Sequence, residues 1–63
     1  MSEQQKIRER YLLFLVSTGI RQNFIAEKTN IPNYVLSKYK QGKNELLDSS
    51  LKNLDNYLTE QGY

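Results

Sequence analysis

The chain contains no cysteine and no histidine. Without cysteine it can form neither a disulfide framework nor a thiolate metal site. Without histidine it lacks the commonest general base and the commonest metal ligand. The carboxylates form no recognisable catalytic pair, and 63 residues leave little room for a deep pocket with supporting layers. We therefore expect no enzyme activity, no bound metal and no cofactor.

Long hydrophobic runs are also missing. The longest is "YLLFLV", residues 11–16, whereas a membrane-spanning helix needs about 20 apolar residues. The sequence after this run returns directly to polar residues and has no small-residue cleavage site of the signal-peptide kind. We expect a cytoplasmic protein that does not contact a membrane.

Glycine and proline are so few that their positions mark element boundaries. Gly19, Pro32 and Gly42 divide the chain into four stretches, and none shows the alternation of period two that is typical of strands. The pattern predicts an all-α fold in one domain, residues 1–63. The four predicted helices cover approximately residues 2–18, 22–29, 32–41 and 48–61.

Hydrophobic spacing indicates the buried side of the first and last helices. In the first, Ser2 and Gln5 have the form of a capping box. Residues three or four apart mark its buried stripe: Ile7, Tyr11, Phe14 and Thr18. The last helix has a similar stripe: Leu47, Leu51, Leu54 and Leu58. Asp48, Ser49 or Ser50 can cap it.

The third helix divides into an apolar and a polar side. On a helical wheel at about 100° per residue, Val35, Leu36 and Tyr39 fall within one arc. The remaining surface is polar and basic: Asn33, Tyr34, Ser37, Lys38, Lys40 and Gln41. One side can anchor the helix, which leaves the other free to contact a partner.

Charge is distributed unevenly, although the net charge is only +2. Residues 21–43 carry Arg21 and four lysines against Glu27 alone, whereas residues 44–63 carry Lys52 against four carboxylates. A basic middle third suits one face approaching a polyanion. Taken alone, however, this distribution is better explained as ordinary solvated charge.

Two short helices joined by about three residues, the second of them basic and half exposed, form the helix-turn-helix pattern. The segment "GIRQNFIAEKTNIPNYVLSKYKQGK", residues 19–43, resembles the Cro/C1-type (phage repressor and Xre-like) helix-turn-helix family. The matching positions are Gly19, Ile20, Gln22, Ile25, Ala26, Asn30, Ile31, Leu36, Ser37, Gly42 and Lys43. Asn30 stands where the family usually has a turn glycine, and asparagine tolerates the left-handed conformation better than most residues.

The resemblance implies a lambda-repressor-like fold of four helices, without the fifth helix that many relatives carry, and a helix-turn-helix at about residues 22–41. It also implies a sequence-specific double-stranded DNA-binding protein, a transcriptional regulator of phage, plasmid or mobile-element type. The positions that resemble base-contacting residues are Asn33, Tyr34, Ser37 and Lys38. Those that resemble DNA-backbone contacts are Arg21, Gln22, Lys40, Gln41, Lys43 and Asn44.

Three residues depart from the family pattern. Pro32 replaces the serine or threonine that usually caps the third helix and touches a phosphate. Phe24 occupies a position that is usually polar, and Thr29 one that is usually apolar. The hydroxyl contact with a phosphate is therefore not expected from residue 32.

The first helix carries more apolar surface than one small partner helix needs. Four residues are candidates for a dimer contact: Leu12, Leu13, Val16 and Phe24. We expect a homodimer, formed through the first or the last helix, on a two-fold or repeated DNA site, and no small-molecule effector. The rival hypothesis, favoured by this apolar surface, is a helix-turn-helix fold used as a protein-interaction module, either an antirepressor or an inhibitor of a polymerase or nuclease.

Overall fold

The computed structural model describes residues 3–63, and every regular element in that range is an α-helix. The helices are α1 (Glu3–Thr18), α2 (Gln22–Thr29), α3 (Asn33–Lys40) and α4 (Asp48–Glu60). The all-α class with four helices is confirmed, and the predicted helix ends agree to within two residues. Ser2, the first residue of the expected capping box, lies outside the described range.

The four helices enclose one hydrophobic core. α1 packs against α4 and α3, and α2 packs against α3 and α4. The buried apolar residues are Ile7, Tyr11, Phe14, Ile25, Ile31, Leu36, Tyr39, Leu46, Leu51, Leu54 and Leu58. The Phe14 ring lies edge-on to Tyr57 and Tyr63, with centroid distances of 5.7 and 5.1 Å. Such edge-to-face pairs stabilise a core beyond the area that they bury.

Glycines end α1 and α3, as their positions predict. Gly19 has φ 67° and its N–H donates to the carbonyl of Leu15 at 3.0 Å. A left-handed residue with this bond is a common helix end, and glycine adopts it without steric cost. Thr18, expected in the buried stripe, is instead exposed. Its hydroxyl donates to the carbonyl of Phe14 at 2.7 Å, one turn earlier.

The expected stripe of α4 is wrong at its first position. Leu47 is 77% exposed, and Leu46 is buried in its place. The side chain of Gln4 explains the change, because its amide donates to the carbonyl of Leu46 at 2.8 Å and its oxygen accepts from the N–H of Leu46 at 3.1 Å. This pairing holds Leu46 against α1 and directs Leu47 outward.

The expected cap of α4 is also wrong. Leu47 occupies the cap position, and no side chain there bonds to the helix N-terminus. Asp48 lies in the first turn instead. A carboxylate in that turn interacts favourably with the helix dipole even without a capping hydrogen bond.

Thr29 shows how a polar residue occupies a usually apolar position. Its side chain is buried, and its hydroxyl donates to the carbonyl of Ile25 at 2.7 Å. Its own carbonyl accepts from the side-chain amide of Asn53 at 3.2 Å. Because the buried hydroxyl has a partner, the desolvation cost of an unpaired polar group is avoided, and α2 gains a direct bond to α4.

Arg10 joins α1 to the end of α4. Its guanidinium forms an ion pair with Asp55 at 2.5 Å and donates to the Thr59 hydroxyl at 3.0 Å. Its Nε donates to the main-chain oxygen of Tyr63 at 2.9 Å. One guanidinium thus bonds to two residues of α4 and to the last residue of the sequence, Tyr63.

Candidate nucleic-acid interface

The turn between α2 and α3 consists of three residues. Asn30 adopts the left-handed conformation, φ 57° and ψ 36°, as its position in the motif predicts. Ile31 is buried in the core, and its N–H donates to the carbonyl of Ala26 at 3.1 Å. One buried side chain and one left-handed residue therefore set the angle at which α3 leaves α2.

Pro32 lies just before α3, which begins at Asn33, the later of the two predicted starts. It occupies the cap position with φ −56° and ψ 141°, and its carbonyl accepts from the N–H groups of Val35 and Leu36 at 3.0 and 3.1 Å. No side chain caps this end of α3. Proline fits here because the helix needs the carbonyl and makes no use of the missing N–H.

The inner side of α3 is firmly anchored, as the wheel predicts. Leu36 and Tyr39 are fully buried, and Val35 packs against the core. The Tyr39 hydroxyl donates to the main-chain carbonyl of Gln4 at 2.6 Å. Burial raises the pKa of Tyr39 to about 12, further above neutral pH than that of a free tyrosine. The apolar packing of Val35, Leu36 and the Tyr39 ring holds α3 against the core and leaves its opposite side exposed.

The outer side of α3 carries the predicted base-contacting residues, hereafter the α3 face: Asn33, Tyr34, Ser37 and Lys38. Tyr34 is 69% exposed, and Asn33 and Lys38 are also exposed. Ser37 is less exposed than the other three, being half buried, and lies at the edge of this face. Tyr34 and Lys38 are four residues apart, so they lie one above the other on the helix. Both can reach a partner that approaches α3.

Asn33 is not a free side chain, contrary to the expectation of an open face. The amide nitrogen of Gln22 donates to both oxygens of Asn33, to the side-chain oxygen at 2.6 Å and the main-chain oxygen at 3.1 Å. The Asn33 amide in turn donates to the side-chain oxygen of Asn23. The first residues of α2 and α3 are therefore tied together, and any DNA contact by Asn33 starts from a fixed rotamer.

Asn23 and Tyr11 are the members of this arrangement that the sequence analysis missed. The Tyr11 hydroxyl donates to the side-chain oxygen of Gln22 at 3.3 Å. We call these four residues the amide network: Tyr11, Gln22, Asn23 and Asn33. Tyr11, Gln22 and Asn33 lie on three different helices, so only the packed structure brings them together.

The expected backbone-contacting residues flank the α3 face. Arg21 precedes α2, and Gln41, Lys43 and Asn44 follow α3; all four are exposed. Lys40 is half buried. Within residues 3–63 the one ion pair is that of Arg10 with Asp55, so the lysines of this region have no carboxylate partner there. Residues 28–44 contain no acidic residue at all.

Three large apolar side chains on α1 and α2 are exposed. Val16 is 85% exposed, Leu13 59% and Phe24 45%. Leu12, the fourth dimer candidate, is half buried and contributes less. The ammonium of Lys28 lies 5.3 Å from the centroid of the Phe24 ring, a cation–π contact that covers part of the ring. The expected excess of apolar surface is present, but it is smaller than the sequence pattern suggests.

Among residues 3–63, no cluster of three or more potential ligand side chains could hold a metal ion. None of the helices in the same range combines the length and the apolar composition needed to cross a bilayer.

Comparisons with protein-family models, with curated proteins and with solved structures find no match for this chain. What the structure establishes is the class, a small all-α protein of four helices. The Cro/C1-type resemblance of residues 19–43 rests on the sequence motif alone.

Proposed function

We propose that the chain is a sequence-specific double-stranded DNA-binding protein that inserts α3 into the major groove. The observation that carries the proposal is the α3 face. It combines an exposed aromatic residue and an exposed lysine on a helix anchored from behind, within a stretch that has no carboxylate. The major groove admits one α-helix and presents acceptors and methyl groups that such side chains can contact.

Lys38 is the proposed main base contact. An ammonium has only donors, and guanine presents two acceptors in the major groove. Tyr34 would contact a thymine methyl with its ring, or a base or phosphate with its hydroxyl. Asn33 would donate from its remaining amide hydrogen or pair with adenine. Ser37, at the edge of the face, would make a lesser contact.

The flanking residues are proposed to contact phosphates, which fixes the position of α3 without selecting sequence. They are Arg21, Gln22, Lys40, Gln41, Lys43 and Asn44. Gln22 lies in the first turn of α2, where the helix dipole favours an anion. Because its side-chain amide is bonded to Asn33, its proposed phosphate contact is through the main-chain N–H of that first turn. By resemblance to the Cro/C1-type family, we propose that the protein regulates transcription from a phage, plasmid or similar mobile element. A cytoplasmic location follows from that role.

The proposed assembly is a homodimer on a two-fold DNA site. One module of this size makes a small interface for tight specific binding. A two-fold pair would also set two α3 helices one DNA turn, about 34 Å, apart. Leu13, Val16 and Phe24 supply exposed apolar surface for the pairing. Sedimentation of the free protein and of its DNA complex tests this, because one protomer per site in both samples would contradict the dimer.

Selection of binding sites from a random pool of duplex DNA tests the function. The expected result is a recurring sequence that contains guanine contacted by Lys38 and that is arranged as a palindrome or repeat. A pool without enrichment after repeated rounds, at salt low enough for nonspecific binding, would contradict sequence-specific recognition.

The second candidate is a protein-interaction module, and the exposed Phe24 and Val16 favour it. In that case the apolar surface would bind another protein, such as a repressor, polymerase or nuclease. Substitution of Val16 by serine would then abolish binding of the partner protein, whereas Lys38→Ala would leave that binding intact. If the chain instead binds DNA, Lys38→Ala should weaken binding of one protomer to a DNA half-site, and replacement of Val16 by serine should leave that binding intact.

A further inference from the structure

The Tyr11 hydroxyl makes a contact that core packing does not require. The residue is fully buried, and a phenylalanine would fill nearly the same space. Its hydroxyl nevertheless lies 3.3 Å from the side-chain oxygen of Gln22, a residue that reaches the surface next to α3. A polar atom placed at the inner end of a surface network can control the orientation of the side chains outside it.

One group, the main-chain oxygen of Asn33, fixes which atoms donate and which accept in the amide network. The main-chain oxygen of Asn33 can only accept, so the Gln22 amide must turn its nitrogen toward it, at 3.1 Å. The Gln22 oxygen then faces inward, and Tyr11 must donate to it. Tyrosine is protonated at neutral pH, and burial raises the pKa of Tyr11 further, to about 12.

The same orientation extends outward. The second hydrogen on the Gln22 nitrogen is donated to the side-chain oxygen of Asn33 at 2.6 Å. That bond turns the Asn33 amide toward Asn23, to whose oxygen it donates. A side chain with two torsions is thereby restricted to one rotamer, which lowers the entropy lost when it meets a ligand.

We propose that Tyr11 is a positioning residue for DNA recognition: its hydroxyl holds Gln22, and through Gln22 the first residue of α3, in the conformation that meets DNA. The inference rests on the proposed function, since it assigns a role in DNA binding to a core residue. Tyr11 itself contacts no DNA in this arrangement.

Tyr11→Phe tests the proposal, and Tyr39→Phe is its matched control. Both tyrosines are fully buried, and each donates one hydrogen bond. Tyr39, however, donates to a main-chain carbonyl of α1 and not to the network. We expect Tyr11→Phe to lower the ratio of specific to nonspecific DNA affinity about three- to tenfold, the effect of one net hydrogen bond. Tyr39→Phe should lower thermal stability and leave that ratio unchanged.

Gln22→Ala shows whether Tyr11 acts through Gln22. In the Gln22→Ala background, Tyr11→Phe should cause no further loss of specificity, because the intermediate side chain is already gone. An additional loss equal to that in the wild-type background would overturn the proposal. So would an equal loss of specificity in Tyr39→Phe.

A readout without DNA separates this inference from the proposed function. The side-chain amide NMR signals of Gln22 and Asn33 should shift in Tyr11→Phe and stay in place in Tyr39→Phe. If these signals respond as expected while the wild-type protein binds no DNA, the amide network stands and the function fails. If neither signal responds to Tyr11→Phe, the positioning role fails even where DNA binding is intact.

Discussion

The contact between α1 and α4 and the face of α3 use their charges in opposite ways. Arg10, between α1 and α4, satisfies its guanidinium with Asp55, Thr59 and the main-chain oxygen of Tyr63. On α3, Lys38 is exposed and has no carboxylate partner within residues 3–63. A cation that holds the fold together is surrounded by acceptors, whereas an unpaired cation is available to an external anion.

The unpaired lysines of α3 have one structural explanation, which is that they stabilise the helix itself. Lys38 and Lys40 lie in the last turn of α3, where a cation interacts favourably with the helix dipole. That effect is at most about 1 kcal/mol at an exposed site. It does not account for the exposed Tyr34 one turn earlier, or for Lys43 beyond the helix end. The helix dipole therefore explains the positions of Lys38 and Lys40 but not those of Tyr34 and Lys43.

Replacement of Arg10 should have the largest effect, and it should act on stability. Arg10→Ala removes the ion pair and two further hydrogen bonds, so we expect the free energy of unfolding to fall by about 3 kcal/mol. Chemical denaturation followed by circular dichroism measures this. Lys6→Ala, which removes an exposed cation from the same helix, is the control and should change stability by less than about 0.5 kcal/mol. Equal effects of the two substitutions would show that the contacts of Arg10 do not stabilise the fold.

Replacement of Lys38 should act on binding instead. Lys38→Ala should weaken specific DNA binding by about 1–3 kcal/mol and relax selectivity at one base position, with stability unchanged. Titration of duplexes that vary at each position measures both quantities. If specific and nonspecific affinity fell by the same factor, Lys38 would be a phosphate contact and not a base contact.

Replacement of Lys43 should have a smaller and uniform effect. Lys43→Ala should weaken binding to all sequences by about 1 kcal/mol at physiological salt and reduce the salt slope by about one unit, as expected for one lost phosphate contact. The measurement is the affinity for one specific and one random duplex over a range of salt concentrations. A change in base preference would show that the residue lies nearer the groove than proposed.

Replacement of Pro32 should have the smallest effect. Pro32→Ser gains a side-chain cap but loses the restriction that proline places on the unfolded chain, and the two contributions nearly cancel at about 0.5–1 kcal/mol each. The new hydroxyl can accept from the helix and donate to a phosphate at once, so DNA affinity should rise slightly. A large loss of both stability and affinity would show that the proline shapes the turn.

The sequence predicts the fold well because glycine, proline and hydrophobic spacing act locally. Gly19 and Asn30 adopt the left-handed conformations that their positions require. Local pattern fails where a distant side chain decides the outcome. Leu46, not Leu47, enters the core because Gln4, more than forty positions earlier, pairs with its main chain.

The candidate site is predictable in part for the same reason. The exposed positions of Tyr34 and Lys38 follow from the helical wheel. The bonds of Asn33 do not, because Gln22 and Asn23 reach Asn33, and Tyr11 reaches Gln22, only after three helices have packed. A helical wheel shows a polar side chain on the outer surface as free, whereas in the fold it can be hydrogen-bonded to residues of other helices.

The salt dependence of DNA binding shows whether the α3 face and its flanking cations bind duplex DNA. Titration of a labelled random duplex with the wild-type protein, at salt concentrations from about 50 to 200 mM, gives the slope of log affinity against log salt. We expect a slope of several units that falls by about one in Lys43→Ala. Affinity that is absent at low salt, or that is independent of salt and unchanged in Lys43→Ala, would contradict it.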